Sequence, residues 1–323
     1  MSTPKHPDGE PWHYDRDYAG FVPLPGHRYE IRPMPATARG YDLIYLADTY
    51  GVYRDDFERL NVAGTHSPRI YGGVLPAEIV AIRQGVDDGA TLIGEFNTFA
   101  SPTERPEREA LEDLFGVTWS GWIGRRFEDL TPDVEVPVWA VRDYARQYGQ
   151  PWPFQGPGFL FVHESGRLLV LREENDVRHD GASLVFEPGR ARRYGARERV
   201  PYHYWFDIVT PRAGTAVEAA FELAVTDTGR MRLARLGIPS RFPAILRRDG
   251  PRAPIYYFAG DFADNRFVPS WTRYRAAAAT AKWMPAALQS VTNLFYWRVY
   301  VPLLGTILEE IRRRPVNSAP PPM

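Results

Sequence analysis

Three short apolar runs in this chain each end on a turn that carries a carboxylate. Tyr41 to Ala47 runs into Asp48-Thr49-Tyr50-Gly51, and Thr91 to Gly94 into Glu95-Phe96-Asn97-Thr98. Ile255 to Ala259 runs into Gly260-Asp261-Phe262-Ala263-Asp264-Asn265. As strands of one open α/β sheet, they would bring the turns together at the carboxyl edge, where such sheets gather ligands. Asp48 and Glu95 are then a candidate catalytic pair, as general acid and base or as a glycosidase pair about 5–10 Å apart. Tyr50, Tyr53, Asn97, Thr98, Asp261, Asp264 and Asn265 are the candidate ligand-binding residues, because tyrosine offers a large rigid face with a polar handle for a sugar ring. The same carboxylates can equally cap the helices that follow or bond loop amides.

Other chemistries lack their residues. The chain has no cysteine, which removes disulfides, thiolate metal ligands and thiol nucleophiles. Its histidines, at 6, 13, 27, 66, 163, 179 and 203, never pair at metal-ligand spacing, and His203 reads as a core or surface residue. Asp261 to Asn265 lacks the repeated Asp spacing and distal glutamate of a calcium loop. There is no Gly-x-x-x-x-Gly-Lys-Ser/Thr and no Gly-x-Gly-x-x-Gly, and Ser101 has no nucleophile elbow around it. No metal and no cofactor is expected.

The elements that must position these residues are legible as punctuation. Pro76 opens a helix carrying Ile79, Val80, Ile82 and Val86, and Gly89 closes it two residues before Thr91. Strand, helix and strand with short links make a βαβ unit with a right-handed crossover. Arg105 to Phe115 reads as a second helix, stopped by Gly116. Residues 1–28 read as an irregular arm before a short strand at Tyr29 to Arg32. From 151 to 250 the pattern is mostly β: Phe159 to Val162 and Leu168 to Leu171 flank Glu164-Ser165-Gly166-Arg167 as a hairpin. Tyr202 to Val209 and Val217 to Val225 are further strands. Near the end, Leu294, Trp297, Val301, Leu304, Leu308 and Ile311 make one apolar helix face, kinked at Pro302 and Gly305. Packing of that face on the sheet is expected, rather than on a membrane surface. Most tryptophans, among them Trp119, Trp122, Trp139, Trp152, Trp205 and Trp297, sit beside apolar neighbours and read as core.

Composition sets the class. At 323 residues, 44% hydrophobic and 24% charged, the chain can bury a core. A net charge of −1, from 39 basic and 40 acidic residues, argues against a nucleic-acid or anionic-membrane binder that relies on bulk charge. No run reaches the length of a membrane span, and the polar N-terminus lacks a signal-peptide layout. The expectation is a cytoplasmic protein, or an extracytoplasmic one if a leader is missing.

The order of elements resembles the class I glutamine amidotransferase-like fold, in the versions found beside β-galactosidase barrels and in trehalose-utilisation-type proteins. Leu43 to Asp48, the helix closing at Asp88-Gly89, Leu92 to Phe96, and Leu111 to Val117 carry the likeness. Phe242 to Leu246 with Ile255 to Gly260 resembles the group's final strands. It covers roughly residues 40–130 and 240–313. The family sets its cysteine in a Gly-x-Cys-x-Gly turn, where this chain reads Gly94-Glu95-Phe96-Asn97-Thr98. Phe96 stands in place of the nucleophile, and no histidine follows His203. Glutaminase chemistry is excluded.

The expected fold is α/β, with a flavodoxin-like parallel-sheet core, a β-rich insertion before the final strand and a C-terminal helix. The expected divisions are an arm and first strand (1–40), the core (41–150), the β-rich section (151–250), the final strand and helix (251–314) and a disordered tail (315–323). The leading functional expectation is an accessory or interaction module that binds a carbohydrate or similar polar ligand. The alternatives are a glycan hydrolase using Asp48 and Glu95, and a structural subunit of a complex. A protein partner and an oligomer are both compatible with this reading.

Overall fold

A computed structural model describes residues 18–58, 67–132, 135–263 and 294–314. The chain begins with a hairpin of β1 (Gly20–Leu24) and β2 (Arg28–Arg32), so part of the stretch read as an irregular arm is a paired strand. Then come β3 (Leu43–Leu46), β4 (Val52–Tyr53), α1 (Arg54–Phe57), β5 (Arg69–Tyr71), α2 (Pro76–Asp88), β6 (Thr91–Gly94) and α3 (Arg105–Phe115). The middle holds β7 (Val117–Phe127), α4 (Val138–Tyr148), β8 (Gly158–His163), β9 (Leu168–Arg172), β10 (Val177–Phe186), α5 (Arg190–Tyr194) and β11 (Arg199–Pro201). Last are β12 (Phe206–Pro211), β13 (Thr215–Val225), α6 (Asp227–Ala234), β14 (Arg241–Asp249), β15 (Pro254–Phe258) and, after a π-helical turn, α7 (Val301–Arg313).

A seven-stranded sheet in the order β11-β10-β13-β14-β15-β6-β3 forms the centre. β15, the strand expected last, lies in the same sheet as β3. The fold is mixed α/β with a C-terminal helix, but among the described residues parallel strand pairing joins only β3, β6 and β15. The reason is connection length. β14 turns into β15 over Gly250 to Ala253, too short for a crossover, so the pair must be antiparallel. The β-rich residues extend this sheet through β10, β11, β13 and β14. They also supply β8, β9 and β12 to a four-stranded sheet ordered β12-β7-β8-β9. Phe206 of β12 packs 5.5 Å from Phe221 and 5.2 Å from Phe242, ring centre to ring centre, which joins the two sheets in one core.

The helices cover both faces. Along β6, Gly94 faces α3 so closely that an added Cβ would come 2.4 Å from Phe115 Cζ. In the same way a Cβ at Gly85 of α2 would strike Ile44 of β3. The opposite face receives α7. Arg314 beyond α7 donates to Thr91 Oγ1 at 2.8 Å.

The C-terminal helix keeps most of the predicted stripe, with Trp297 buried and Leu294, Val301, Leu304 and Ile311 packed against the core, and departs from it at Leu308. Leu303 and Ile307 are buried, whereas Leu308 is 46% exposed. The π-helical turn Tyr296–Tyr300 rotates the apolar face relative to a uniform α-helix. Pro302 has no N–H to give to the Arg298 carbonyl, and the Arg197 N–H takes that acceptor at 3.0 Å. Trp119, Trp122 and Trp297 are buried, and Trp139, Trp152 and Trp205 pack half-buried against a smaller core under α4. No helix among the described residues is long and apolar enough to cross a membrane.

Candidate functional site

β3 and β6 are parallel neighbours, with Leu46 opposite Gly94, and β15 flanks β6 on its other side, also parallel. The chain therefore leaves all three strands at one edge. Asp48 follows β3 by two residues, Glu95 directly follows β6, and Asp261 follows β15 by three. The Glu95 N–H still donates to the Leu46 carbonyl at 3.0 Å, which carries the ladder into the turn.

From there the carboxyl groups part. Because Gly94 faces α3, Glu95 points to the α7 face by strand alternation. It is 2% exposed and fully engaged. Tyr45 Oη donates to its Oε2 at 2.7 Å, and the N–H groups of Phe262 and Ala263 both donate to its Oε1, the latter at 2.6 Å. Tyr45 Oη in turn lies 3.1 Å from Tyr300 Oη. Burial pushes the Glu95 carboxyl up to about 8; its hydrogen bonds pull against that, and the charge of Asp261 adds to it. Burial likewise holds the Tyr45 and Tyr300 hydroxyls protonated.

Asp48 is exposed. Its Oδ1 accepts the Tyr50 N–H at 2.8 Å and the Asn97 side-chain amide at 3.4 Å. Tyr50, 46% exposed, and the half-buried Tyr53 lie with ring centres 5.6 Å apart. They owe this placement to Gly51 (φ 98°) and Gly72 (φ 129°), whose backbones pass so close that a Cβ on Gly51 would lie 2.2 Å from the Tyr71 carbonyl oxygen. Partial burial, then the neighbouring Tyr53, Asp56 and Asp48, raises the Tyr50 hydroxyl pKa.

Of the residues singled out from sequence, Asp48, Tyr50 and Tyr53 therefore cluster on the outside of the edge, with the buried Asn97 beneath them. Thr98 turns inward, is fully buried and donates to the Glu95 carbonyl. Asp261 is half-buried, and its N–H donates to the Trp205 carbonyl at 3.0 Å. Asp264 and Asn265 lie outside the described residues, as does the proline-rich tail from 315. Phe96 is buried and stacks on Trp205 at 6.3 Å.

One acid at this edge escaped the sequence reading. Asp207, the second residue of β12, is fully buried on the α3 face. Its Oδ2 accepts the Asn97 N–H at 3.2 Å and the Tyr257 hydroxyl, and its Oδ1 has no partner. Burial pushes this carboxyl up to about 7, against the two hydrogen bonds and with help from Asp48. The signal was present as one acid inside the apolar run Phe206-Asp207-Ile208-Val209. Among the described residues no group of three or more His, Asp or Glu is placed to hold a metal ion. At the other end of the large sheet an open groove of about 560 Å³ runs between His179, Arg199, His203 and Glu222.

No protein-family model matches the chain, and no curated protein matches it. Solved structures give faint likenesses. A β-galactosidase from Bacillus circulans sp. alkalophilus is 11% identical over 68% of this chain and 20% of its own, with a TM-score of 0.32. A cytoplasmic protein from Salmonella typhimurium LT2 is 10% identical over 82% of this chain and 76% of its own, with a TM-score of 0.35. An exo-β-1,4-mannosidase from an Opitutaceae bacterium, strain TAV5, is 13% identical over 68% and 24%, with a TM-score of 0.25. The chain thus spans a quarter or less of the two glycosidases. At these values the function rests on the geometry of the site itself.

Proposed function

We propose that this chain is a non-amidotransferase α/β module, in an accessory or interaction role, that binds a carbohydrate or a similar polar ligand at the carboxyl edge of β3, β6 and β15. The observation that carries the reading is the pair of the exposed Tyr50 and the half-buried Tyr53 beside Asp48, whose carboxylate is held in place by the Tyr50 N–H and the Asn97 amide. Two aromatic faces with a fixed acceptor between strand ends suit a sugar ring, which stacks its C–H face and hydrogen-bonds its hydroxyls. The finer fold reading belongs to the same proposal: an amidotransferase-like core in which Phe96 has replaced the nucleophile.

The test is a glycan array probed with the full chain, followed by calorimetric titration of any glycan retained. Tyr50→Ala and Tyr53→Ala are expected to weaken that binding at least about tenfold, in line with the loss of a buried aromatic contact, and to leave the melting temperature unchanged. A wild-type chain that retains no glycan overturns the reading and favours the structural-subunit alternative.

A glycan hydrolase is the second reading, favoured by one feature. Glu95 holds its proton near neutrality, as a general acid must. Its burial and its three internal donors oppose that role. Release of chromophore from aryl glycosides, lost in Glu95→Gln, would establish it over the binding reading.

A further inference from the structure

Asp207 belongs to the four-stranded sheet, yet its side chain serves the edge of the other one. Its Oδ2 takes the backbone N–H of Asn97 and the hydroxyl of Tyr257 on β15. Asn97 has a left-handed backbone, φ 72°, a conformation that needs local hydrogen bonds to hold it in a non-glycine residue. Thr49 Oγ1 donates to its carbonyl at 2.9 Å, and its own side-chain amide reaches Asp48 Oδ1. Asp48 Oδ1 in turn receives the Tyr50 N–H. An unbroken chain of hydrogen bonds therefore runs from a buried acid on one sheet to the exposed Asp48 and Tyr50 on the other.

We infer that Asp207 is a positioning residue for the ligand edge, holding the Asn97 turn and through it Asp48 and Tyr50, so that ligand binding follows the proton on Asp207. The inference rests on the proposed binding reading, but its structural part can be measured without any ligand.

The physics sets the direction. A charged carboxylate accepts a hydrogen bond about twice as strongly as a neutral one. With its pKa pushed up to about 7 by burial and by Asp48, Asp207 holds the Asn97 N–H tightly above neutrality and loosely below it. The titratable groups around it are Tyr257 on β15 and Asp48 after β3, with Glu95 and Glu112 of α3 beyond Tyr257. All four are acids. Its ladder partner on β7 is the apolar Ile123.

The experiment is an NMR pH titration of backbone amides in the full chain, from about pH 5.5 to 9. In the wild type the amides of Asn97 and Tyr50 are expected to shift together, with a common midpoint near 7. Asn97→Gly tolerates the left-handed backbone and keeps the N–H facing Asp207, but it removes the bridge to Asp48. There the amide at position 97 still shifts, and the step at Tyr50 disappears. Asp207→Asn removes both steps; if that variant does not fold, the first two proteins decide alone. A wild type with no step near 7 at Asn97, or a Tyr50 step that survives Asn97→Gly, overturns the inference. A glycan retained on the array adds a second arm, with its affinity falling about tenfold between about pH 8.5 and 5.5 in the wild type only; a pH-independent affinity also overturns the inference. Absence of any glycan overturns the carbohydrate reading alone, and the amide titration still decides the role of Asp207.

Discussion

Glu95 Oε1 accepts the backbone N–H of Ala263 at 2.6 Å, across 168 residues of sequence, and so fastens the loop after β15 to the end of β6. The neighbouring Phe262 N–H lands on the same oxygen, and Tyr45 and Tyr300 extend the contact from the other oxygen to the turn preceding α7. A protonated carboxyl suits this arrangement. Oε1 remains a pure acceptor for the two amides; the Tyr45 hydroxyl that donates to the charged carboxylate turns to Tyr300 once Oε2 carries the proton, and Oε2 then donates to Tyr45.

Substitutions at Glu95 should therefore separate by hydrogen-bonding capacity. Glu95→Gln keeps an acceptor for the two amides and a donor for Tyr45, and its stability at pH 7 should equal or slightly exceed the wild type. Glu95→Ala strands the buried Phe262 N–H and the part-buried Ala263 N–H and should cost about 2–5 kcal/mol. Urea denaturation of the three proteins gives both numbers. A Gln variant as damaged as the Ala variant would mean that the group works as a carboxylate.

Stability should also fall as pH rises from mildly acidic to alkaline values. Glu95 is raised from 4.5 to about 8 and Asp207 from 3.8 to about 7, chiefly by burial. Each is a raised folded-state pKa. Its contribution is fully present below the unfolded value and is lost as pH climbs through the folded one. While one such group differs in protonation between the two states, the slope is about 1.4 kcal/mol per pH unit. Glu128 and Glu222 are shifted downward by their arginine partners, so their contribution is lost only on acidification below the ordinary glutamate range. The maximum is expected near pH 5. Thermal melts from about pH 4 to 9 should show it, and Glu95→Gln should flatten the alkaline limb.

The close approach of α3 to the sheet makes Gly94 sensitive. A methyl group there would sit 2.4 Å from the buried Phe115 ring, and overpacking of this kind costs about 1–3 kcal/mol. Gly94→Ala should lose that much in denaturant unfolding, and Phe115→Leu in the same chain should restore part of it. Failure of the second substitution to help would place the strain in the backbone of β6 instead.

How much of this was readable beforehand depends on the range of the interaction. The strands before Glu95 and Asp261 show as apolar runs because they are buried from both sides, the one before Asp48 shows although it lies at the sheet edge and is only partly buried, and helix Arg105–Phe115 shows because Gly116 closes it. The stripe after Leu294 packs largely as read, but Leu308 is exposed and Leu303 and Ile307 are buried, because a π-helical turn shifts the face. The Arg197 N–H that takes the Arg298 carbonyl there comes from about a hundred positions upstream and leaves no periodic trace. Asp207 was passed over for the same reason. An acid in a strand reads as a solvent-facing position until it is known that β12 meets the end of β15, where Tyr257 and Asn97 wait with donors. Local pattern reveals strands and their ends; it does not reveal that β12, a strand of the second sheet, reaches the edge of the first.

Asn97 offers a last test of the turn that links the two sheets. At φ 72° an alanine would meet the steric penalty of the left-handed region, about 1–2 kcal/mol, and would also lose the bridge to Asp48. Asn97→Gly loses the same bridge without that penalty, and its own cost is the greater freedom of the unfolded chain, about 0.5–1 kcal/mol. The backbone N–H to Asp207 survives both substitutions, so that bond cancels in the comparison. Glycine should therefore be the milder change by about 1 kcal/mol, read as a difference in urea midpoint at equal slope. The reverse order, alanine milder than glycine, would mean that the turn leaves the left-handed region when the Asp48 bridge is cut. In that case the Asp48–Asn97 contact, rather than Asp207, is what shapes the edge.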